Sequence, residues 1–340
     1  MRRHVNIPIF IPHKGCPNDC VFCNQKKIAG QIKSPETYEI KKIIEENLST
    51  IDSNTDIQIA FFGGSFTGIC REEMINYLKT AYSYVEKGQI LGIRISTRPD
   101  YISEEILDIL KKYGVTSIEL GVQSMDDRVL MLCERGHTSA DVEKAVKLIR
   151  KYDFELVLQM MCNLYGSTEK DALETGKKIV SLKPDGVRIY PTMVIKDTKL
   201  EELYNEGKYI PENLENTISL CGKLYMLFYE NNINVLRMGL YSSKELTEDG
   251  NIVAGCFHPS FGELVFSKIY LEKAENEIIK NNLQNKNIAI YVKKGNASKM
   301  AGNNKKNIKY LMEKFSLKGI KIVQEDSFLN FEVKTSENLL

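Results

Sequence analysis

The sequence lacks a strong excess of charge, an apolar run of membrane-spanning length and a secretory signal pattern. Its 46 Lys and Arg residues nearly balance 45 Asp and Glu residues, and the net charge of +1 by itself favours no class of partner. The 340 residues are 43% hydrophobic, which is enough to bury a full core and to add one small domain. Because no secretory or membrane-spanning segment is found, the eight cysteines indicate a reducing, cytoplasmic location and no membrane association.

Three cysteines, Cys16, Cys20 and Cys23, follow the first predicted strand with the spacing C-x3-C-x2-C. Thiolate clusters select soft metal centres, above all iron-sulfur clusters and zinc. The second cysteine pair that is usual in structural zinc sites is missing, which favours an iron-sulfur cluster with one iron left without a protein ligand. Two alternatives remain: a zinc site completed by His4 or His13, and three unrelated cysteines.

The other five cysteines are scattered along the chain. Free cysteine behaves as a small hydrophobic residue that is usually buried, so we interpret these five as packing residues rather than ligands. They are Cys70, Cys133, Cys162, Cys221 and Cys256.

Six apolar runs alternate with segments of helical periodicity, in the order strand then helix. Several runs are almost entirely apolar, as in parallel strands that are covered on both faces. This repeat predicts an α/β fold with right-handed crossovers, and six units are too few for a closed eight-stranded barrel, so we expect a partial (β/α)6 TIM-like barrel. The predicted strands cover residues 5–12, 57–62, 90–96, 116–122, 156–161 and 187–190; the predicted helices cover 35–48, 72–85, 104–112, 140–152, 169–181 and 214–230, with Ser34, Ser103 and Ser139 as caps.

A pair of glycines, Gly63 and Gly64, follows the second predicted strand. Glycine has no Cβ, so a ligand can approach the backbone closely and bind its exposed amide and carbonyl groups. The segment from Cys16 to Cys23, which we call the cysteine loop, follows the first strand. Barrels of this kind carry their active sites at the C-terminal ends of the strands. We therefore predict that the glycine pair binds a zwitterionic ligand; the alternative is a simple turn.

The cysteine spacing, with Phe22 before the last cysteine, resembles the signature of the radical S-adenosylmethionine (SAM) superfamily. The resemblance implies a 4Fe-4S cluster whose open iron takes the amino and carboxylate groups of SAM, and a one-electron reductant such as flavodoxin or ferredoxin. It also implies reductive cleavage of SAM and hydrogen abstraction from a substrate. The glycine pair resembles the second motif of the superfamily, with Ser65 where an acidic residue is common.

Polar residues at the ends of the third and fourth strands could bind the remaining groups of this cofactor, and an arginine could neutralise its carboxylate. The alternative is that they cap the following helices or satisfy loop backbone. Two histidines could act as acid or base, although a lone histidine is more often structural. The predicted SAM-binding residues are Gly63, Gly64, Ser96, Thr97, Arg98, Glu119, Gln123 and Arg135, and the predicted catalytic residues are His137 and His258.

Four later segments resemble the bacterial branch of the Elongator catalytic-subunit family: Arg135–Thr138, Lys183–Thr192, Arg237–Leu240 and Phe257–Glu263. In that family a radical SAM core cooperates with an acetyltransferase domain to carboxymethylate the wobble uridine of transfer RNA, using acetyl-coenzyme A. We therefore expect a radical SAM enzyme of transfer RNA modification, without an acetyltransferase domain in this chain. The segment Met161–Gly166 departs from the family pattern.

The last hundred residues predict a small α/β appendage, with residues 1–240 as the core and 241–340 as the second domain. Its predicted helices cover 271–281 and 306–315, and its predicted strands cover 288–292, 320–323 and 328–333.

Seven lysines lie between Lys286 and Lys309 with no Asp or Glu among them. Clustered lysines release counterions from nucleic acid, so this run predicts a surface for transfer RNA, with Tyr291 and Tyr310 available for stacking. The alternative is a solvated face. Two further functions remain as alternatives: a radical SAM enzyme with a small-molecule or peptide substrate, and a non-enzymatic RNA-binding protein that zinc stabilises.

Overall fold

The computed structural model describes residues 3–11, 15–16, 20–24, 33–52, 54–240 and 250–338. Contacts divide the chain into two compact units: a barrel unit, Met1–Asn213 with Leu227–Phe257, and a C-terminal unit, Leu214–Met226 with His258–Leu340. The domain boundary at residue 240 stays a prediction. In the described part of the chain, no helix is both long enough and apolar enough to cross a membrane.

The barrel unit contains a sheet of seven parallel strands and a separate antiparallel pair. The strands of the unit are β1 Arg3–Ile11, β2 Thr55–Gly63, β3 Gly92–Thr97, β4 Val115–Gln123, β5 Glu155–Cys162, β6 Gly186–Pro191, β7 Met193–Ile195, β8 Asn234–Met238 and β9 Ile252–Gly255. The sheet has the order β1-β2-β3-β4-β5-β6-β8, and β7 pairs antiparallel with β9. Neighbours in the sheet follow one another in the chain, as in a partial TIM barrel, and the predicted fold class is confirmed. The edge strand β8 was not predicted, because its residues are at most half-buried and form no apolar run.

Helices alternate with these strands as predicted. Of the three predicted caps, Ser103 does cap its helix. The other two helices are capped by Glu36 instead of Ser34 and by Thr138 instead of Ser139. Glu36 and Thr138 each form a reciprocal capping box with the acidic residue three positions later in the chain. The helices are α1 Thr37–Leu48, α2 Arg71–Glu86, α3 Glu104–Lys112, α4 Asp127–Leu132, α5 Ser139–Ile149, α6 Glu169–Ser181, α7 Lys199–Asn205 and α8 Leu214–Glu230. Most of α8, Leu214–Met226, belongs to the C-terminal unit.

Side chains of the parallel strands alternate between two faces. In β4, Ile118 and Leu120 are fully buried on the face toward the helices, and Glu119 lies on the opposite, lumen face. The C-terminal ends of β1 to β4 lie side by side in the sheet, and we call this edge the mouth. Ile11 and Gly63, the last residues of β1 and β2, are therefore neighbours there.

The C-terminal unit contains helices and a three-stranded sheet, which confirms the predicted α/β appendage. Its elements are α9 Phe261–Lys280, β10 Asn287–Lys293, α10 Ala297–Ala301, α11 Lys306–Lys314, β11 Gly319–Glu325 and β12 Val333–Glu337. The central strand β10 is parallel to β11 and antiparallel to β12. Two bounds differ from the prediction: α9 begins ten residues before its predicted start, and β12 begins only at Val333, because Leu329 and Glu332 form a turn just before it.

Candidate cofactor site at the mouth of the partial barrel

The second half of the cysteine loop is anchored in an apolar cluster. Val21 and Phe22 are buried there with residues of α4 and α7. The Val21 amide donates to the Cys133 carbonyl at 3.2 Å, and the Leu200 amide donates to the Val21 carbonyl at 2.8 Å. Phe22, the aromatic residue before the last cysteine of the motif, therefore holds the loop through packing.

The three motif cysteines differ in exposure: Cys20 is buried, Cys23 is half-buried and Cys16 is the most exposed. Among the residues that the structure describes, no three His, Cys, Asp or Glu side chains are already arranged around a metal position. Partial burial of the thiol and the nearby Cys20 raise the pKa of Cys16, whereas Arg135 and Arg98 act in the opposite direction. The ligand role of the three cysteines stays a prediction.

Two glycines allow close backbone contacts at the end of β2. We call the segment from Gly63 to Thr67 the glycine loop. A Cβ on Gly15, which has φ of +74°, would lie 2.1 Å from the Ser65 carbonyl oxygen. A Cβ on Gly63, which has φ of +109°, would lie 2.6 Å from the Ile11 carbonyl oxygen, and the Gly64 amide donates to that oxygen at 2.9 Å. Gly63 is thus required for contact between the two strand ends. Direct binding of a ligand by Gly63 and Gly64 stays a prediction.

A buried cluster of hydroxyl groups links the glycine loop to the end of β3. The Thr97 hydroxyl is hydrogen-bonded to Ser65 Oγ at 2.8 Å and to Thr67 Oγ1 at 2.6 Å. The Arg98 amide donates to Ser65 Oγ at 3.2 Å. Thr97 therefore joins two loops, and Ser65 acts through this cluster instead of supplying a charge. Thr97 was predicted from its place at the end of the third strand, and Ser65 was noted beside the glycine pair, but no pattern in the sequence identifies Thr67.

Arg98, at the same strand end, is buried and forms a two-pronged ion pair. Its Nε and Nη2 atoms each donate to a carboxylate oxygen of Asp100 at 2.9 Å. Burial alone lowers the pKa of Arg98, but Asp100 more than offsets this and raises it. The charge of Arg98 is thus largely neutralised within the protein, and one edge of its guanidinium remains for a ligand.

Glu119 lies in the middle of β4 and is engaged inside the lumen. Arg188 on β6 lies 2.9 Å from its carboxylate, donates to the Tyr190 hydroxyl at 3.2 Å, and stacks over the Phe62 ring at 5.7 Å. Burial raises the pKa of Glu119, and Arg188 acts in the opposite direction. The sequence analysis did not identify Arg188 and Tyr190 as site residues. The signal that could have identified them is their polar character within the otherwise apolar strand β6.

Gln123 ends β4 with φ of +66° and is buried. The Gln159 amide donates to Gln123 Oε1 at 3.2 Å. Two neighbouring strands therefore meet through their side-chain amides at the mouth.

Arg135 and His137 lie beyond α4, with both side chains buried. Arg135 donates to Cys20 Sγ at 3.1 Å and to the Gly121 carbonyl at 2.8 Å. His137 Nε2 lies 3.3 Å from the Val122 carbonyl and donates to it, because a carbonyl only accepts. Burial lowers the pKa of His137 to about 4, with a further contribution from Arg135.

Four of the predicted site residues share one property: each has a buried polar atom with neither a hydrogen-bond partner nor an ion-pair partner among the described residues. Glu119 is not counted, because its Oε2 lies 2.9 Å from Arg188 Nε. A buried donor or acceptor left unpaired costs about 1–3 kcal/mol, so such atoms indicate a polar ligand. Hydroxyl, guanidinium and imidazole groups together suit a zwitterion that also carries ribose and adenine. The atoms are Ser96 Oγ, Arg98 Nη1, Arg135 Nε and His137 Nδ1.

Two predicted residues lie elsewhere. His258 belongs to the C-terminal unit, where its Nδ1 accepts the Ser260 amide at 3.0 Å before α9 begins. Its catalytic role stays a prediction. His4, proposed as a zinc ligand, lies near the start of β1, seven residues before Ile11 and hence roughly 23 Å from the mouth. The other proposed zinc ligand, His13, lies outside the described residues.

The remaining cysteines mostly pack as predicted. Cys133, Cys162, Cys221 and Cys256 are buried. Cys70 is exposed, so its interpretation as a packing residue is wrong: it lies just before α2, where a residue points to solvent without contributing a cap hydrogen bond.

Comparison with known families finds two adjoining matches. Residues 10–179 match the radical SAM superfamily, and residues 184–271 match the radical SAM C-terminal domain. Among solved structures, the chain is similar to archaeal Elp3 of Methanocaldococcus infernus, with a TM-score of 0.62 and 22% identity over 81% of this chain and 64% of that chain. That likeness concerns the fold.

Three curated relatives are similar in sequence. An uncharacterized protein of Methanocaldococcus jannaschii is 33% identical over 62% of this chain and 63% of its own length. The tRNA uridine(34) acetyltransferase of Dehalococcoides mccartyi is 28% identical over 58% of this chain and 50% of its own length. Elongator complex protein 3 of Saccharomyces cerevisiae is 29% identical over 56% of this chain and 38% of its own length. The chain thus spans less than two thirds of each of these relatives.

Proposed function

This chain belongs to the radical SAM superfamily, and we propose that it is an enzyme that modifies a nucleoside of transfer RNA. Its cofactors are those of the superfamily, a 4Fe-4S cluster and SAM. When bound, they supply one-electron cleavage of SAM and hydrogen abstraction from an unreactive C–H bond. The transfer RNA substrate is the finer part of the proposal, and it rests on observations other than those that support the cofactor site.

The main support for the cofactor site is the set of unpartnered atoms beside the cysteine loop. Cys16, Cys20 and Cys23 would hold the cluster. Arg98 Nη1 has a proton to donate and suits a carboxylate, while Ser96 Oγ can donate or accept.

His137 has a defined protonation state in this site. Its pKa of about 4 keeps the ring neutral at pH 7, and Nε2 carries the proton that is donated to Val122. Nδ1 is therefore an acceptor and cannot serve as a general acid at neutral pH. We propose that it accepts a hydrogen bond from a ligand hydroxyl or ammonium group.

Transfer RNA is proposed as the substrate on two grounds. Curated relatives carry names that state action on tRNA uridine 34. In addition, Lys305, Lys306 and Lys309 form no ion pair within the described part of the chain and are exposed. Exposed lysines of this kind suit phosphate contacts, which add affinity without reading sequence.

Two other lysines of the predicted run are already paired. Lys286 lies 2.6 Å from the Glu337 carboxylate, and Lys294 lies 3.3 Å from the Asp326 carboxylate. The run therefore has acidic neighbours in the fold that it lacks in the sequence. The proposed surface is centred on Lys305, Lys306 and Lys309.

Anaerobic reconstitution tests the cofactor site. The wild-type protein is expected to take up about four irons and four sulfides, and with dithionite and SAM it is expected to release 5′-deoxyadenosine. Stoichiometric zinc with no iron uptake contradicts this part of the proposal.

Nucleoside mass spectrometry of transfer RNA, from cells with and without the gene, tests the substrate. We expect one modified nucleoside to disappear or to be replaced by a precursor. An unchanged nucleoside profile, with 5′-deoxyadenosine still released in vitro, would point to a small-molecule or peptide substrate instead.

Salt-dependent binding tests the proposed surface. Changing Lys305, Lys306 and Lys309 to Gln is expected to flatten the log-log salt slope of transfer RNA binding by roughly 0.7–0.9 for each phosphate that these lysines neutralise. The matched control is the double change Lys286→Gln and Lys294→Gln, whose lysines are already ion-paired and should contribute less. Equal slopes in the triple variant and the wild type would exclude this surface from transfer RNA binding.

A further inference from the structure

Arg135 contacts a predicted cluster ligand directly. Its Nη1 donates to Cys20 Sγ at 3.1 Å, and its Nη2 donates to the Gly121 carbonyl at 2.8 Å. The residue is 7% exposed, so both contacts are largely shielded from water. Because the Gly121 carbonyl fixes Nη2, the guanidinium presents Nη1 to the Cys20 sulfur in a defined direction.

The turn that follows α4 fixes the position of the Arg135 side chain. Glu134 and Gly136, on either side of Arg135, have φ of 53° and 71°. The Arg135 amide donates to the Leu130 carbonyl at 3.0 Å, which closes the helix end. The arginine is therefore held by backbone geometry as well as by its own hydrogen bonds.

The charge of Arg135 distinguishes it from Arg98. Arg98 is paired with Asp100 by two hydrogen bonds. Within the described residues, Arg135 has no carboxylate partner, and its acceptors are one sulfur and one carbonyl. Burying a guanidinium is costly unless it is paired with an anion, and a cysteine sulfur that binds a metal cluster carries negative charge.

We propose that Arg135 is a positioning residue that donates a hydrogen bond to the Cys20 sulfur and raises the reduction potential of the cluster bound there. The inference rests on the proposed function, since it assumes the cluster. Reduction adds one negative charge to the cluster, and a fixed positive charge and hydrogen bond at a ligand sulfur favour the more negative form. Arg135 thereby makes the cluster easier to reduce, which differs from the predicted contact with the SAM carboxylate.

A redox titration of the reconstituted full-length protein without SAM, followed by electron paramagnetic resonance, tests this role. Arg135→Gln is expected to lower the equilibrium constant for one-electron reduction about tenfold, a shift of about 59 mV to more negative potential. Arg135→Lys keeps the charge but not the paired geometry, so a smaller shift in the same direction is expected. The matched control is Arg128→Gln on α4, an exposed arginine that pairs with Asp171, and it should leave the potential unchanged.

Gly121→Ala offers a variant that keeps Arg135. The added Cβ would lie 3.1 Å from Gln123 Nε2 and 3.3 Å from Arg135 Nη2, so both side chains must move by a few tenths of an ångström. The potential should fall by less than in Arg135→Gln, because the guanidinium is displaced but not removed. An iron-loaded Arg135→Gln protein with the wild-type potential overturns the inference, and weaker SAM binding in that protein would assign Arg135 to the SAM carboxylate instead. A wild-type protein that takes up no iron overturns the proposed function itself. If Arg135→Gln does not fold, Arg135→Lys and Gly121→Ala decide the question in the same titration.

Discussion

The barrel unit and the C-terminal unit differ in how they satisfy buried polar side chains. Within the described residues, every buried side-chain nitrogen or oxygen that lacks a partner lies in the barrel unit. In the C-terminal unit, the buried amide of Asn307 contacts the Ser267 carbonyl at 2.9 Å, the Ser267 hydroxyl at 3.0 Å and the Met300 carbonyl at 3.1 Å.

This contrast indicates that the barrel unit is the one built to receive a ligand. An unpaired buried polar atom lowers the free energy of unfolding, so a unit with a purely structural role has no reason to keep several. Four of these residues, Ser96, Arg98, Arg135 and His137, belong to the predicted cofactor site at the mouth, where a bound cofactor can pair with the atoms. The others, such as Asn6, Arg94 and Ser117, lie elsewhere in the barrel unit. The C-terminal unit satisfies its own buried polar groups and offers charged residues only on its surface.

The largest expected effect comes from removing a cluster ligand in the barrel unit. Cys20→Ala is expected to abolish iron-sulfur absorption and the release of 5′-deoxyadenosine, because the remaining thiolates cannot hold the cluster. The control is Cys70→Ala, which removes an exposed cysteine of the same unit and should leave both readouts intact. Full cluster content in Cys20→Ala would show that the motif is not the site.

The next largest effect is expected where the two loops of the mouth pack together. Gly63→Ala forces a residue with a side chain into φ of +109° and places its Cβ 2.6 Å from the Ile11 carbonyl oxygen. Strain of about 1–2 kcal/mol and overpacking of about 1–3 kcal/mol add up to a decrease of about 3 kcal/mol in the free energy of unfolding.

Gly88→Ala is the matched control, because Gly88 has φ of +70° but nothing within 4 Å of an added Cβ. Its free energy of unfolding should fall only by the strain contribution of about 1–2 kcal/mol. Denaturant unfolding measures both variants. Equal decreases at the two positions would mean that the close approach of the loops does not matter for stability.

A smaller effect is expected from removing the fully hydrogen-bonded side-chain amide of Asn307 in the C-terminal unit. Asn307→Ala removes its hydrogen bonds and leaves two carbonyls without that donor, at a cost of about 2–3 kcal/mol in the free energy of unfolding. Iron content should not change, because the cysteine loop belongs to the other unit. Asn303→Ala, at an exposed position, controls for the removal of an amide. Reduced iron content in Asn307→Ala would contradict the separation of roles between the two units.

The smallest effect at neutral pH concerns His137, whose protonation matters only in acid. Because its pKa falls from 6.5 to about 4 on folding, the unfolded chain binds more protons between these values, and stability rises with pH there. His137 therefore contributes stability that is fully present above about pH 6.5 and is lost as the pH falls toward 4, at up to about 1.4 kcal/mol per pH unit. His137→Gln should flatten this part of the stability curve, measured by urea unfolding at several pH values. Parallel curves for the two proteins would exclude a buried neutral histidine.

Much of the fold could be read from the sequence, because its signals are local. Runs of apolar residues mark parallel strands that are covered on both faces, and six of the seven strands of the sheet were predicted in this way. The missed strand, Asn234–Met238, lies at an edge and is at most half-buried, so it has no apolar run. The first ten residues of α9, which begins at Phe261, were also missed. Aromatic and polar residues there hide the helical spacing of apolar residues.

The alternation of strands and helices, the cysteine loop after the first strand and the glycine pair after the second follow from the sequence alone, because each depends on residues close together in the chain. Which side chains meet depends on the tertiary structure. Arg135 and Cys20 are 115 positions apart, and Lys286 and Glu337 are 51 positions apart. Such pairs form because the sheet brings distant strand ends to one edge and because β10 and β12 lie side by side. Charge and hydrogen bonding act through space, so the partner of a buried arginine or of a surface lysine is set by the fold and not by its neighbours in the chain.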